Sequence, residues 1–150
     1  MKSSLTFFHL APILLAPGSQ ILPGNWGRIK RQQPNLEGVL FREYVIEQVR
    51  QREFPSKPSR LDCVFAFRDA DTARGFAAQA GGWFATCILY RVSTEADSAS
   101  IHYANYNFPG PGGGAMDSVE ELARTYWAEE PKECVEVLIQ APVTITEVVT

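Results

Sequence analysis

The stretch "MKSSLTFFHLAPILLAPGSQ", residues 1–20, decides how the rest of the chain is read, because it is either a leader or the first strand of a domain. A secretory leader needs a positive start, an apolar run of about 7–15 residues and small residues at a cleavage site. Lys2 and the run from Leu5 to Ala16 supply the first two superficially. However, His9 falls inside the run, Pro12 interrupts it, and Pro17-Gly18 stands where the cleavage residues belong. The run is also shorter than the roughly 20 residues that cross a bilayer. The reading that follows is a short strand, Leu5 to Leu10, with His9 set into it, and a mature protein that keeps Met1 to Ser19.

Working outward, "APILLAPGSQILPGNWGR" (11–28) is punctuated by proline and glycine as a long loop would be. Leu40, Phe41, Tyr44, Val45 and Val49 recur at helical spacing, with Arg42, Glu43, Glu47, Arg50 and Gln51 mostly opposite. That pattern predicts an amphipathic helix whose charged residues face solvent, ended by the two prolines of "REFPSKPSR". "LDCVFAF" (61–67) is a short β-rich run. "RDADTARGFAAQAGG" (68–82) reads as a helix capped by Asp69 or Asp71 and stopped by Gly81-Gly82. "WFATCILYRVS" (83–93) reads as a buried strand and "SASIHYANYNF" (98–108) as a half-exposed one. After the loop "PGPGGGAMD" (109–117), Ser118 and Glu121 form a capping box for a helix whose apolar face is Val119, Leu122, Ala123, Tyr126 and Trp127. "CVEVLIQA" (134–141) and "TITEVV" (144–149) are two closing strands joined through Pro142. No repeat or linker divides the chain. The expectation is a single α+β domain over residues 1–150, with a mainly antiparallel split sheet and about three helices.

A length of 150 residues supports one real core, and 45% apolar with 21% charged residues is ordinary globular composition, which excludes disorder and a membrane span. The net charge of -3 gives no general attraction to nucleic acid or anionic lipid. Cys63, Cys87 and Cys134 have no metal-ligand spacing, and an odd number suits a disulfide framework poorly. All three lie in apolar runs, so they read as buried free thiols in a reducing, cytoplasmic setting with no metal.

His9 and His102 are the only histidines, so any imidazole chemistry uses one of them. Glu136 stands near the start of an otherwise apolar strand, where an unpaired charge is expensive unless its side chain points to solvent. The order of the pieces matters more than any one of them. Phe8-His9 lies on an early strand, "VFAFRDADTARGF" is a strand-helix unit in mid-chain, and "EVLI" begins with a glutamate on a late strand. This arrangement resembles the diphtheria-toxin-type branch of the ADP-ribosyltransferase superfamily, and within it uncharacterised bacterial proteins that begin "FFHL" and continue with a "PGNWGR" loop.

The resemblance implies an ADP-ribosyltransferase-like fold that uses NAD as substrate and releases nicotinamide. Carried over by position, His9 would hold a ribose hydroxyl, Phe65 stands where the family has tyrosine, Phe76 would cover the nicotinamide, and Glu136 would be the catalytic carboxylate. Two positions depart from the pattern: Leu10 replaces a glycine whose backbone clamps the nicotinamide amide, and Phe65 lacks a hydroxyl. A carboxylate is the group that stabilises the oxocarbenium-like charge built up when the nicotinamide–ribose bond breaks, and aromatic faces suit a cationic ring. Arg28, Lys30 and Arg31 in "GRIKR" are the nearest concentrated donors for a pyrophosphate, Arg28 foremost, although the same cluster could be a solvated face or a nucleic-acid contact. Tyr126, Trp127 and Cys134 fall where relatives place the acceptor loop. Cys134 stands where arginine-modifying members have Glu or Gln, which speaks against an arginine acceptor. The acceptor is left open between protein, nucleic acid and small molecule. A catalytically silent nucleotide- or protein-binding module and an RNA 2'-phosphate-processing enzyme are the competing readings.

Overall fold

The computed structural model describes residues 3–107 and 114–149. Along the chain its elements are β1 (Leu5–Ala11), β2 (Gln20–Ile21), α1 (Asn25–Gln32), α2 (Gly38–Glu53), β3 (Val64–Ala66), α3 (Ala70–Ala80), β4 (Ile88–Thr94), β5 (Ile101–Asn105), α4 (Ala115–Ala128), β6 (Val135–Ile139) and β7 (Val143–Val148). Short 3₁₀ turns cover Arg60–Asp62, Gly82–Thr86 and Ser98–Ser100.

The opening stretch is a strand of the sheet: β1 pairs antiparallel with β4 along its whole length, His9 opposite Tyr90 and Leu10 opposite Leu89. The strands form two ladders, β1-β4-β7-β2 and β3-β6-β5, and each pairing is antiparallel. A single bridge joins the ladders. Phe8 N–H donates to Phe67 O at 2.9 Å, and Phe67 N–H donates to Phe8 O at 2.8 Å. The result is a curled sheet that stays split where β1 passes β3. Phe7, Val64, Ala66, Tyr90, Val92, Val137, Ile139 and Ile145 fill one buried cluster, and the rings of Phe7 on β1 and Tyr103 on β5 come within 6.4 Å across it. Helices α2 and α4 cover the face of β3-β6-β5 that carries Leu138, with Ile46, Val49, Ala123, Tyr126 and Trp127 in the seam. Each such side chain contributes about 1.5–3 kcal/mol by leaving water. Helix α3 packs Ala73 and Phe76 against Phe8, Leu10, Phe67 and Leu89.

The α+β class and antiparallel sheet agree with expectation, but the described residues form four α-helices where about three were expected. The additional one, α1, begins inside the stretch read as loop and runs four residues past it. Its only apolar side chains are Trp26 and Ile29, so it carries no stripe to betray it. What holds it is a close approach that glycine permits: a Cβ on Gly27 would stand 1.9 Å from Leu61 O. Helix α2 is rotated relative to its expected face. Glu43, Ile46, Glu47 and Val49 are buried while Phe41 and Tyr44 are exposed, because the carboxylates turn inward to a buried arginine from a distant turn.

Two boundaries also differ. Trp83 to Thr86 form a 3₁₀ turn rather than the start of a strand, since Gly81 and Gly82 both hold positive φ (62° and 57°) and reverse the chain first. Helix α4 begins at Ala115, so Ser118 is inside it and its hydroxyl donates back to Gly114 O at 2.8 Å instead of capping. Most of the "PGPGGGAMD" loop, and Phe108, lie outside the described residues. Helix α3 keeps its expected ends, with Asp69 accepting from Thr72 N–H at 2.7 Å and Gly81 closing it. The three thiols are free, but only Cys63 is buried; Cys87 and Cys134 are half-buried near turns. Among the described residues no helix is long and apolar enough to cross a membrane.

Candidate functional site

Glu136 is not turned to solvent. It is 6% exposed on β6, beside Leu138, on the face covered by α2 and α4. A buried carboxylate needs a counter-charge, and the chain supplies Arg60, itself 7% exposed, from the 3₁₀ turn before β3. Arg60 Nη1 donates to Glu136 Oε1 at 2.5 Å and to the Tyr126 hydroxyl at 2.7 Å. The Tyr126 hydroxyl donates to the same Glu136 Oε1 at 2.9 Å. On its other side Arg60 is held by Glu43 of α2, Nη2 to Oε1 and Nε to Oε2 both at 2.9 Å. The guanidinium lies over the Phe65 ring at 4.8 Å and the Tyr126 ring at 5.2 Å.

Burial alone would lower the Arg60 pKa, but the carboxylates of Glu136 and Glu43 outweigh it and hold the guanidinium well above its ordinary range. Burial would likewise raise Glu43, yet Arg60 brings it below the usual carboxylate value. Tyr126 is pushed well up by burial and by Glu136, so its phenol stays protonated and donates. Two carboxylates therefore share one guanidinium, and Arg42 Nη2 lies 3.7 Å from Glu43 Oε1 as a second, more distant cation. Among the described residues Glu136 Oε2 accepts no hydrogen bond.

His9 is half-buried on β1, and its Nδ1 lies 2.6 Å from Phe65 O. A carbonyl only accepts, so Nδ1 carries the proton and Nε2 is an acceptor. Burial holds the His9 pKa below its ordinary value despite that hydrogen bond, which keeps the ring neutral. The same geometry opens the neighbouring backbone. Phe8 spends its N–H and C=O on Phe67, and alternation along an antiparallel strand turns those of Leu10 the same way, toward β3. There Phe65 O is already taken by His9. Among the described residues the Leu10 N–H and C=O have no partner on that side.

Strands β1, β3 and β6 are neighbours at the split, so His9, Leu10, Phe65 and Glu136 stand on successive strands although 127 positions separate the first from the last (136 − 9). At about 4.8 Å per strand step, β1 and β6 stand about 10 Å apart. Phe65 pairs with Leu138 and Ala66 with Val137, and the same register carried one residue past Ala66 brings Phe67 level with Glu136. Alternation places Glu136 on the side of Phe65 and Phe67, and His9 on the side of Ala66 and Val137. They are not a contact pair.

The remaining expected residues divide. Phe76 packs in an aromatic group with Phe67 at 5.3 Å, Phe84 at 5.1 Å and Tyr106 at 5.0 Å, rather than against Phe65. Tyr106 links that group to β6, since its backbone N–H donates to Cys134 O at 2.8 Å. Burial and a side-chain bond to Cys134 push its phenol up to about 12. Cys134 sits at φ 50°, a left-handed strain of about 1–2 kcal/mol at the entry to β6. Trp127 is a packing residue whose indole N–H donates to Ile46 O at 3.0 Å. Tyr126 also walls an open pocket of about 300 Å³ with Asn105, Thr125, Glu129 and Lys132. Arg28 is exposed on α1 and its side chain donates to Asn25 Oδ1 at 2.8 Å, whereas Lys30 pairs with Glu37 and Arg31 with Asp62. Among the described residues no group of three His, Cys, Asp or Glu could hold a metal ion.

Sequence reasoning missed Arg60 and Glu43. The signal was present: Glu43, Ile46, Glu47 and Arg50 form one helical stripe, and glutamates on a stripe with buried apolar residues call for a remote cation. Comparison with known families matches residues 31–150 to the family described as "Protein of unknown function (DUF2441)", and the chain belongs to that family. A search among curated proteins finds no match.

Proposed function

We propose that this chain is an ADP-ribosyltransferase-like domain that binds NAD at the split between β1 and β3 and transfers ADP-ribose to an acceptor. The observation that carries the reading is the open N–H and C=O of Leu10, a donor–acceptor pair spaced like the partner of a carboxamide, which is what nicotinamide presents. Around it stand an aromatic ring, Phe65, on the facing strand, and two further acceptors that suit ribose hydroxyls, His9 Nε2 and Glu136 Oε2. Because His9 and Glu136 leave opposite sides of the strands, they would touch different parts of an extended dinucleotide.

In the reaction the C–N bond between ribose and nicotinamide breaks, and its electron pair leaves with nicotinamide and quenches the ring's positive charge. The ribose carbon becomes electron-poor, and the Glu136 carboxylate, held through Oε1 by Arg60 and Tyr126, would favour that state through Oε2. The acceptor's nucleophile then forms the new bond to that carbon and loses its proton. A second reading, a silent binding module, is favoured by one specific observation, the 2.5 Å pairing that partly neutralises Glu136.

Incubation of the full chain with NAD, following free nicotinamide with and without cell lysate, separates the two. Glu136→Gln should leave NAD affinity within about twofold and lower nicotinamide release by about 10²-fold, roughly 3 kcal/mol of transition-state stabilisation. Binding without release points to the silent module. Absence of both binding and release overturns the NAD assignment.

A further inference from the structure

We infer that Arg60 is the positioning residue for Glu136 and that Glu43 sets its aim; the catalytic consequence rests on the NAD reading above. Glu43 takes the guanidinium by its Nε and Nη2 edge, with contacts of 2.9 Å from each nitrogen and a third of 3.2 Å. Only Nη1 is left, and its two N–H groups go to Glu136 Oε1 and to the Tyr126 hydroxyl. A planar fork held on one edge has no freedom to rotate on the other. The Phe65 and Tyr126 rings cover its faces.

The consequence is an asymmetric grip. Among the described residues the two donors on Glu136 converge on Oε1, and none reaches Oε2. The carboxylate is therefore fixed in rotation with one oxygen presented, which is the pre-organisation that a group stabilising a developing charge requires. Glu43 has a second effect. By sharing Arg60 it draws part of the guanidinium's charge away from Glu136, while Arg42, 3.7 Å from Glu43 Oε1, balances Glu43 from its other side.

The test uses the full chain and three variants, Glu43→Gln, Glu43→Asp and Tyr126→Phe, with two readouts. The first, on ligand-free protein, is the side-chain carboxyl carbon resonance of Glu136 by NMR, assigned by its loss in Glu136→Gln. It should shift or broaden in Glu43→Gln and in Tyr126→Phe, and recover in part in Glu43→Asp, which keeps a carboxylate for the fork. The second is nicotinamide release beside NAD affinity. Release should fall about 10- to 100-fold in Glu43→Gln while the Kd stays within about twofold, as for a misaimed group. An unchanged Glu136 resonance in Glu43→Gln and Tyr126→Phe overturns the inference, as does a loss of release that follows melting temperature and is not rescued by Glu43→Asp. A wild-type chain that releases no nicotinamide defeats the NAD reading alone, and the resonance still decides whether Arg60 and Glu43 hold Glu136.

Discussion

Replacing Arg60 with methionine should damage the fold far more than replacing either of its carboxylate partners. Methionine fills much of the volume between Phe65 and Tyr126 but leaves Glu43, 2% exposed, and Glu136, 6% exposed, without their shared cation. Removing one partner of a buried pair costs about 3–5 kcal/mol, a large share of the roughly 5–15 kcal/mol that holds a domain folded. For a chain of this length that is a fall of about 6–20 °C in Tm. Glu136→Gln has a different cost, because Arg60 keeps the Glu43 fork and the new amide oxygen still accepts from Nη1 and from Tyr126; about 1–2 kcal/mol is expected. The pH dependence supplies the second test. Stranded carboxylates favour their protonated forms, so their folded pKa values rise above the unfolded ones, and stability present at low pH is lost as pH rises. The deficit of Arg60→Met should therefore grow from pH 5 to pH 8, measured by circular dichroism melts of both variants and wild type. A loss under about 1 kcal/mol at pH 8, or equal losses for Arg60→Met and Glu136→Gln, would refute the shared-cation account.

His102, buried with Nε2 3.1 Å from Tyr126 O, has its pKa lowered to about 4 by burial. A depressed folded value means stability present above about 6.5 and lost as pH falls toward 4, about 3 kcal/mol in all; His102→Gln should flatten that acid limb in urea titrations at stepped pH. Gly27→Ala gains helix propensity of about 1 kcal/mol but places a Cβ 1.9 Å from Leu61 O, so a net loss of about 1–3 kcal/mol is expected. Hydrogen exchange of the Gly24 amide, which bonds Cys63 O at 3.1 Å, should speed up in that variant, and unchanged protection would show that α1 does not depend on the close approach. Phe76→Ala should cost about 2–4 kcal/mol in folding through its contacts with Phe67, Phe84 and Tyr106. If Phe76 also covers nicotinamide, NAD affinity falls by a further 1–2 kcal/mol, about 5- to 30-fold; equal affinity in folded protein removes it from the site.

What the sequence made legible was whatever is decided locally. Helix α3 could be read at both ends because Asp69 and Gly81 act on residues within a turn of themselves. Strand β6 could be read as buried because four of its five residues are apolar. Helix α1 could not, because what holds it is a neighbour 34 positions away (61 − 27) that only a glycine lets come close. The same distinction explains α2. Its charges were assigned to solvent because a charge buried alone is costly, and the cation that changes the sign of that argument sits 17 residues from Glu43 in a stretch that reads as loop. Glu136 stood out in an apolar strand, but whether it faced water or a partner depended on Arg60, 76 residues away.

The two departures from the ADP-ribosyltransferase pattern, on which the proposed function rests, differ in what each atom does. A glycine at position 10 matters to a backbone clamp only if a side chain would obstruct it. The Leu10 side chain turns into the cluster of Phe67, Ala73 and Leu89, while its N–H and C=O point along the sheet plane toward β3. Side chain and clamp therefore leave the strand in different directions, and leucine adds packing without removing a donor or an acceptor. At position 65 the missing hydroxyl has a counterpart in the surroundings: the ring faces a guanidinium 4.8 Å away that must stay dry for its pairing with Glu136 to hold. A phenol there would introduce a polar group that needs a partner of its own beside an arginine whose donors are already committed to Glu43, Tyr126 and Glu136. Phenylalanine avoids that competition. Introducing the hydroxyl with Phe65→Tyr is then expected to loosen the Arg60–Glu136 pair rather than strengthen nucleotide binding, and a tighter NAD affinity with an undisturbed Glu136 resonance would show that the ring serves the ligand and not the arginine.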